Sequence, residues 1–177
     1  MTKKYVLTGG PCSGKTTIAN EFRKMNYSVL GEVARGVIDE RKNQPLDYQE
    51  HLTRQKLIFS KQIELEEKLE GDFAFLDRSI FDNFAYQIHL LGEIIPSYLE
   101  VAKNYPKYDK IFILDRLPFE NDGLRIESGD EEAQKIHSDI IRQYKFHGYE
   151  PVFVPVMASV QERVDFIMEY LKGGKKI

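Results

Sequence analysis

The sequence predicts an α/β fold in which an open, mostly parallel five-stranded sheet carries helices on both faces. Short apolar runs alternate with amphipathic stretches along the chain, the apolar runs lack polar alternation, and a glycine-rich turn joins the first run to the first amphipathic stretch. Apolar runs of this kind are typical of parallel strands that are covered on both faces. A chain of 177 residues suits a single domain, which we place over residues 1–177.

The elements follow this pattern in order. The apolar runs predict five strands, at residues 5–7, 27–30, 73–76, 111–114 and 152–156. The stretches between and after them predict helices that begin near Lys15, run from about Tyr48 to Leu69, end at Gly92, and cover about 131–146 and 160–171.

Periodicity also predicts which side chains of these helices face the sheet. Ile18, Phe22 and Met25 recur at helical spacing after the glycine-rich turn and predict an apolar face. In the long helix, the charged row of Glu64, Glu66 and Lys68 predicts a solvated side.

Composition narrows the classes of partner. A formal net charge of -3 and a pI near 5.9 give no electrostatic reason to expect a nucleic-acid partner. The single cysteine, Cys12, allows no intrachain disulfide. The sequence has no run of about 18 apolar residues of the kind that predicts a transmembrane segment, so a cytoplasmic location is expected. For the oligomeric state we expect a monomer or a small homo-oligomer.

The strongest motif is the turn after the first strand. Gly9 to Thr16 fit G-x-x-x-x-G-K-[ST] between an apolar strand and an amphipathic helix, which predicts a P-loop for the phosphates of ATP, with GTP as an open alternative. Lys15 is predicted to reach the β- and γ-phosphates and Thr16 to ligate Mg²⁺. The predicted nucleotide site comprises Gly9, Gly10, Pro11, Cys12, Ser13, Gly14, Lys15, Thr16 and Thr17.

Charged side chains follow two further strands. Asp77 and Arg78 come directly after the third strand, where ligands bind in open α/β sheets, so Asp77 is predicted to hold Mg²⁺ or its water shell and Arg78 to pair with the transferred phosphoryl group. The alternative is that Asp77 caps the next helix and Arg78 forms an ion pair. Glu32 and Arg35 follow the second strand, and Glu32 or Asp77 could accept the proton of a substrate hydroxyl. A plain surface pair of Glu32 and Arg35 is equally open.

Two further regions are candidates for substrate contacts. Segment 116–131 is polar, carries Arg125 and a turn signal, and predicts a lid that delivers arginine charge to the phosphates. The alternative is a plain connection whose arginines contact nearby carboxylates. Tyr48, Gln49 and Gln55 at the start of the long helix are candidates for an acceptor pocket.

Together these segments resemble a known group. The segments 8–17, 32–35, 75–79 and 117–125 resemble the AAA-type predicted NTPase/kinase family of P-loop proteins that includes the ribosylnicotinamide kinase domain. The resemblance covers nearly the whole chain. It implies a nucleoside-kinase-like three-layer P-loop NTPase fold with strand order 2-3-1-4-5, and acceptor-side roles for Glu32, Arg35, Asp77 and Arg78. Segment 116–131 lacks the dense arginine series of deoxynucleoside kinases.

Two functions fit these observations. The first is a Mg²⁺-dependent kinase that passes the γ-phosphate of ATP to a small nucleoside-like acceptor, with Lys15, Glu32, Asp77, Arg78 and Arg125 as catalytic residues. The second is a nucleotide-dependent switch or NTPase that uses ATP or GTP and acts through a protein or lipid partner.

Overall fold

The computed structural model describes residues 2–118 and 129–173, in which helices connect successive strands. Two of these connections, from β2 to β3 and from β3 to β4, contain two helices each. The elements are β1 (Lys3–Thr8), α1 (Lys15–Lys24), β2 (Val29–Leu30), α2 (Val33–Glu40), α3 (Tyr48–Glu67), β3 (Phe73–Asp77), α4 (Ile80–Leu91), α5 (Pro96–Asn104), β4 (Lys110–Leu114), α6 (Asp130–Phe146), β5 (Val152–Val154) and α7 (Val160–Leu171).

The five strands form one sheet in the order β2-β3-β1-β4-β5, and every pair is parallel. In the central strand, β1, Val6 lies between Leu76 of β3 and Ile111 of β4. The predicted fold class and strand order are confirmed. Because the strands are parallel, the loops that follow β1, β2 and β3 meet at one edge of the sheet, where open α/β folds bind ligands.

Helices cover both faces of the sheet, which gives three layers. Successive side chains of a strand point to opposite faces, so Val6 of β1 packs under α3, α4 and α6 while Leu7 packs under α1 and α7. No helix in the described part of the chain is long and apolar enough to cross a membrane.

The start of α4 decides between two interpretations of Asp77. The hydroxyl of Ser79 accepts the N–H of Phe81 at 3.2 Å, and the Asp82 side chain accepts the N–H of Ser79 at 3.0 Å. This reciprocal pair is a capping box, so Ser79 is the cap of α4. The interpretation in which Asp77 caps this helix is therefore wrong.

Two predictions about helix faces are wrong. Met25 lies just after the last residue of α1 and is 44% exposed, because the apolar spacing continues in the sequence where the helix does not. Glu66 is only 2% exposed. It forms an ion pair with Lys4 at 3.0 Å and accepts the hydroxyls of Tyr105 and Tyr108, partners that come from other elements and cannot be read from helical period.

Some elements differ from their prediction in extent, and the helix α5 lacks a prediction. The short second strand begins at Val29, because Tyr27 donates its N–H to Phe22 at the end of α1 instead of joining the sheet. The helix α5 is not predicted from the sequence, since Ala102 is its only buried residue and its apolar period is weak. Pro96, at its first turn, is the one local sign of a helix start.

Candidate active site

The loop after β1 has the backbone of a phosphate-binding turn. Gly9 and Gly14 have φ of 137° and 80°, in the region that side chains rarely adopt. A Cβ added at Gly9 would lie 2.6 Å from the carbonyl oxygen of Leu114 in the neighbouring strand. Glycine is therefore required there for both conformation and space. Cys12 also has a positive φ, of 57°.

Lys15 lies inside this loop. Its Nζ donates to the carbonyl of Gly10 at 2.8 Å and to the Ser13 hydroxyl at 3.1 Å. Burial and the positive charge of Arg78 lower the pKa of Lys15 to about 8, although the neighbouring carboxylates oppose this shift. A bound phosphate would supply the negative charge that the ammonium needs.

The next residue connects the loop to β3. The hydroxyl of Thr16 donates to Asp77 Oδ2 at 2.8 Å, and the other oxygen, Oδ1, is buried with no partner among the described residues. Burial and the charge of Glu32 raise the pKa of Asp77, while Lys15 and Arg78 oppose them. A hydroxyl beside a carboxylate with a free oxygen is a donor set that fits Mg²⁺, which keeps waters and phosphate oxygens as its other ligands.

Arg78 lies at the centre of the site. Its backbone has φ of 78°, which is uncommon for a residue with a side chain, and the side chain is buried. Its Nε donates to Glu32 Oε1 at 2.9 Å, one terminal nitrogen to Asp82 at 3.3 Å and the other to the Tyr86 hydroxyl at 3.3 Å. Three different contacts therefore fix the guanidinium plane.

Glu32, just before α2, takes Arg78 as its main partner. The alternative pair with Arg35 has a separation of 3.8 Å, and the Arg35 side chain is 45% exposed. Burial alone would raise the pKa of Glu32, but Arg78 and Lys15 outweigh it and lower the pKa. The carboxylate is therefore ionised at neutral pH and able to accept a proton.

A pocket opens beside Glu32 and Arg78, between α2, α3 and α4. Its lining combines apolar side chains with polar groups, among them Ile38, Ile58, Leu90, His51, Gln55, Asn83 and Tyr86. Of the three predicted acceptor-pocket residues, Gln55 lines the pocket, whereas Tyr48 and Gln49 are exposed and lie outside its lining.

A chain of amides positions Gln55. The backbone N–H of Ile95 donates to Gln87 Oε1, Gln87 donates to Asn83 Oδ1, and Asn83 donates to Gln55 Oε1 at 2.7 Å. Because the first donor is a backbone N–H, the direction of every later bond is fixed. The oxygen of Gln55 is therefore occupied by Asn83, and its amide nitrogen is the donor that this pocket-lining residue can offer a ligand.

The predicted lid is only partly described. Arg125 lies outside the described residues. At the start of the segment, Arg116 donates to the carbonyl of Pro11 at 3.1 Å and to Asp130 at 2.6 Å.

Sequence reasoning missed three side chains that contact this site from distant elements. His137 Nδ1 accepts the N–H of Gly10 at 2.9 Å, Arg163 donates to the carbonyl of Ser13 at 2.8 Å, and Asp82 binds Arg78. The capping-box spacing of Ser79 and Asp82 was a usable signal for Asp82. Nothing local marks His137 or Arg163.

A parallel sheet in this order, with a glycine loop between its central strand and a helix, defines a P-loop NTPase/kinase domain. A family model described as an AAA domain matches residues 4–163. The chain therefore belongs to this AAA-domain family of P-loop proteins, which confirms the resemblance noted above. The comparison with curated proteins found no match to this chain.

Solved structures show the same fold. The deoxyadenosine kinase of M. mycoides with products dCMP and dCDP is 19% identical with a TM-score of 0.61, and the alignment covers 96% of this chain and 99% of that one. The same enzyme with dATP is 20% identical with a TM-score of 0.57 over the same shares. NadR protein in complex with NR is 16% identical with a TM-score of 0.71, covering 99% of this chain and 52% of that one.

Proposed function

We propose that this chain is a Mg²⁺-dependent kinase that transfers the γ-phosphate of ATP to a hydroxyl of a small nucleoside-like metabolite. The observation that carries the proposal is the Glu32–Arg78 pair, which lines the pocket. The pair also lies close to Lys15: the charges of Glu32 and Arg78 both shift the pKa of Lys15, and the charge of Lys15 lowers the pKa of Glu32. One charged pair thus borders both the phosphate loop and a separate pocket. The solved kinases with the same fold support this assignment.

The pocket suits a ring attached to a hydroxyl group. Ile38, Ile58 and Leu90 offer apolar surface for a planar ring, and the amide nitrogen of Gln55 offers one directed donor. Glu32 lies at the pocket's charged end, so a hydroxyl of a molecule held in the pocket would face a carboxylate. Arg35 lies at the same end and is proposed as a further contact.

The transfer follows from these positions. Glu32 accepts the proton of the acceptor hydroxyl as its oxygen forms a bond to the γ-phosphorus, and the bond from that phosphorus to the bridging oxygen breaks to release ADP. Lys15 and Arg78 stabilise the charge on the moving phosphoryl group. Thr16 and Asp77 would hold Mg²⁺, which when bound neutralises charge on the phosphate oxygens.

The first experiment measures ADP release from MgATP with and without a panel of nucleosides, ribosylnicotinamide, sugars and small alcohols, with Lys15→Ala as the blank. We expect one class of acceptor to stimulate release and to gain phosphate. Slow release that no acceptor changes would contradict the kinase proposal and favour an NTPase or a switch.

The second experiment tests the base. Glu32→Gln keeps an oxygen for Arg78 but removes the proton acceptor, so we expect kcat to fall by about 10²- to 10⁴-fold with little change in MgATP affinity. The matched control is Glu40→Gln at the last residue of α2, an exposed residue whose carboxylate pairs with Lys61 at 3.2 Å. Equal activity of the two variants would show that Glu32 is not the base.

A further inference from the structure

The carbonyl groups of the phosphate loop are bound from outside the loop. The carbonyl of Pro11 accepts from Arg116 at 3.1 Å, that of Cys12 from the N–H of Leu117 at 2.7 Å, and that of Ser13 from Arg163 at 2.8 Å. Three successive peptide groups are therefore held by contacts from the end of β4 and from α7.

These contacts decide where the loop's N–H groups point. In a trans peptide, the C=O and the following N–H point in opposite directions, and no peptide in the described residues is cis. A carbonyl of Ser13 that faces Arg163 therefore turns the N–H of Gly14 away from Arg163 and towards the interior of the loop. Inward N–H groups are what binds phosphate oxygens in such a loop.

Arg163 differs from an ordinary structural arginine. Beside its contact with Ser13, its other terminal nitrogen donates to the carbonyls of Asp115 at 3.0 Å and Val154 at 3.2 Å, at the ends of β4 and β5. The residue is 4% exposed, and within residues 2–118 and 129–173 it forms no ion pair with a carboxylate. Its hydrogen bonds go to backbone carbonyls.

Burying a guanidinium that contacts no carboxylate is unfavourable, and the nearby charge of Asp115 offsets this cost only in part, since burial still lowers the pKa of Arg163. A position of this kind needs a compensating role. The two terminal nitrogens of the Arg163 guanidinium form a fork of hydrogen bonds. This fork connects the carbonyl of Ser13 in the phosphate loop to the ends of β4 and β5 in the sheet. Loop geometry set by a sheet varies less than loop geometry set by a flexible surface group.

We propose that Arg163 is a positioning residue of the phosphate loop. It fixes the Ser13–Gly14 peptide before the nucleotide arrives, and it thereby sets the affinity for polyphosphate. This inference rests on the proposed nucleotide site at Gly9 to Thr17.

The test uses magnesium tripolyphosphate, a ligand with no base, and measures its dissociation constant by calorimetry for wild type, Arg163→Ala and Arg163→Lys. We expect Arg163→Ala to weaken binding by about 10- to 100-fold, since charge-assisted hydrogen bonds that preset the loop are lost. Lysine keeps the charge but cannot form the fork, so Arg163→Lys should recover only a small part of the affinity. Arg142→Ala, which removes an exposed arginine paired with Asp139 on α6, is the control and should bind as wild type.

A second measurement separates positioning from a general loss of structure. In phosphate-free Arg163→Ala, the amide NMR signals of Ser13 and Gly14 should shift, while those of α3 stay in place. Should the alanine variant fail to fold, Arg163→Gln takes its place, because one amide donor can still reach one carbonyl.

The outcomes are distinct. Wild-type affinity in Arg163→Lys would show that the positive charge alone is sufficient, which would refute the role of the forked hydrogen bonds. Wild-type affinity in Arg163→Ala would refute any role of Arg163 in binding. Shifts across the whole spectrum would make Arg163 a structural residue only. If wild type itself does not bind tripolyphosphate, the proposed nucleotide site fails, which is a different result from failure of the positioning role.

Discussion

Replacing Tyr144 with phenylalanine removes one hydroxyl from the buried polar network beneath the candidate site. That hydroxyl donates to Asp82 Oδ2 at 2.5 Å and lies 2.7 Å from the hydroxyl of Ser79. The same carboxylate accepts from Thr8 at 2.6 Å and from Arg78 at 3.3 Å. Asp82 thus joins β1, the start of α4 and α6, and Tyr144 supplies the contact from α6.

The structure gives the size of the expected effect. Tyr144 is fully buried, so water cannot replace the missing hydroxyl, and its partner is a carboxylate. A hydrogen bond to a charged group contributes about 1.5–3 kcal/mol, so we expect the free energy of unfolding to fall by that amount. For a chain of this length, this corresponds to a decrease in Tm of about 3–12 °C.

The assay is reversible urea unfolding of wild type, Tyr144→Phe and Tyr149→Phe. Tyr149 packs near Tyr144 with ring centroids 5.9 Å apart. In the part of the chain that the structure describes, its hydroxyl forms one hydrogen bond, in which it accepts the neutral backbone N–H of Tyr108 at 3.3 Å. The control should therefore lose at most about 1 kcal/mol. Equal losses in the two variants would refute the reasoning, because the charged partner would then contribute nothing extra.

Three further predictions concern the phosphate loop. Gly9→Ala should abolish nucleotide binding in a calorimetric titration, because its Cβ would meet the carbonyl of Leu114 at 2.6 Å; retained affinity would contradict the fit. Burial lowers the pKa of His137 in the folded protein below its ordinary value of 6.5. The folded state therefore favours the neutral imidazole, and the stability that this contributes is complete above pH 6.5 and is lost as the pH falls through the folded pKa. His137→Asn keeps an acceptor for Gly10 without titrating, and urea unfolding at about pH 7.5 and about pH 5.5 should show a shallower loss than wild type; an equal loss would argue against His137. The pKa of Lys15 near 8 predicts that nucleotide binding at pH 8 takes up on the order of half a proton, measurable by calorimetry in buffers of different ionisation heat, with affinity decreasing as the pH rises through 8; no uptake would contradict this.

The parts of the site that follow strands could be predicted from the sequence. The motif at Gly9 to Thr16 is local, and the placement of Glu32 and Arg78 follows from the rule that parallel strands end at one edge. The structure brings these residues together as expected, while their chemical roles stay predictions.

Contacts from distant elements could not be predicted. Ser13 and Arg163 are separated by 150 positions. The sequence alone does not distinguish a buried arginine on a helix from a solvent-exposed one. Glu66 shows the same limit, since its charge predicts exposure and only the fold brings Lys4 and two tyrosine hydroxyls to it. Periodicity reports which face a residue occupies, and a paired polar side chain can lie on the buried face.

The charges of the site are arranged for an anion. Lys15, Arg78 and Arg163 are all buried, and burial lowers the pKa of Lys15 and of Arg163. Three carboxylates, those of the buried Asp77 and Asp82 and of the partly buried Glu32, oppose that shift at Lys15, but the pKa of Lys15 still lies near 8, so they compensate its charge incompletely. A bound polyphosphate would supply the missing negative charge at the loop. The free energy of unfolding should therefore rise with nucleotide concentration, because the ligand relieves electrostatic cost that the phosphate-free fold carries.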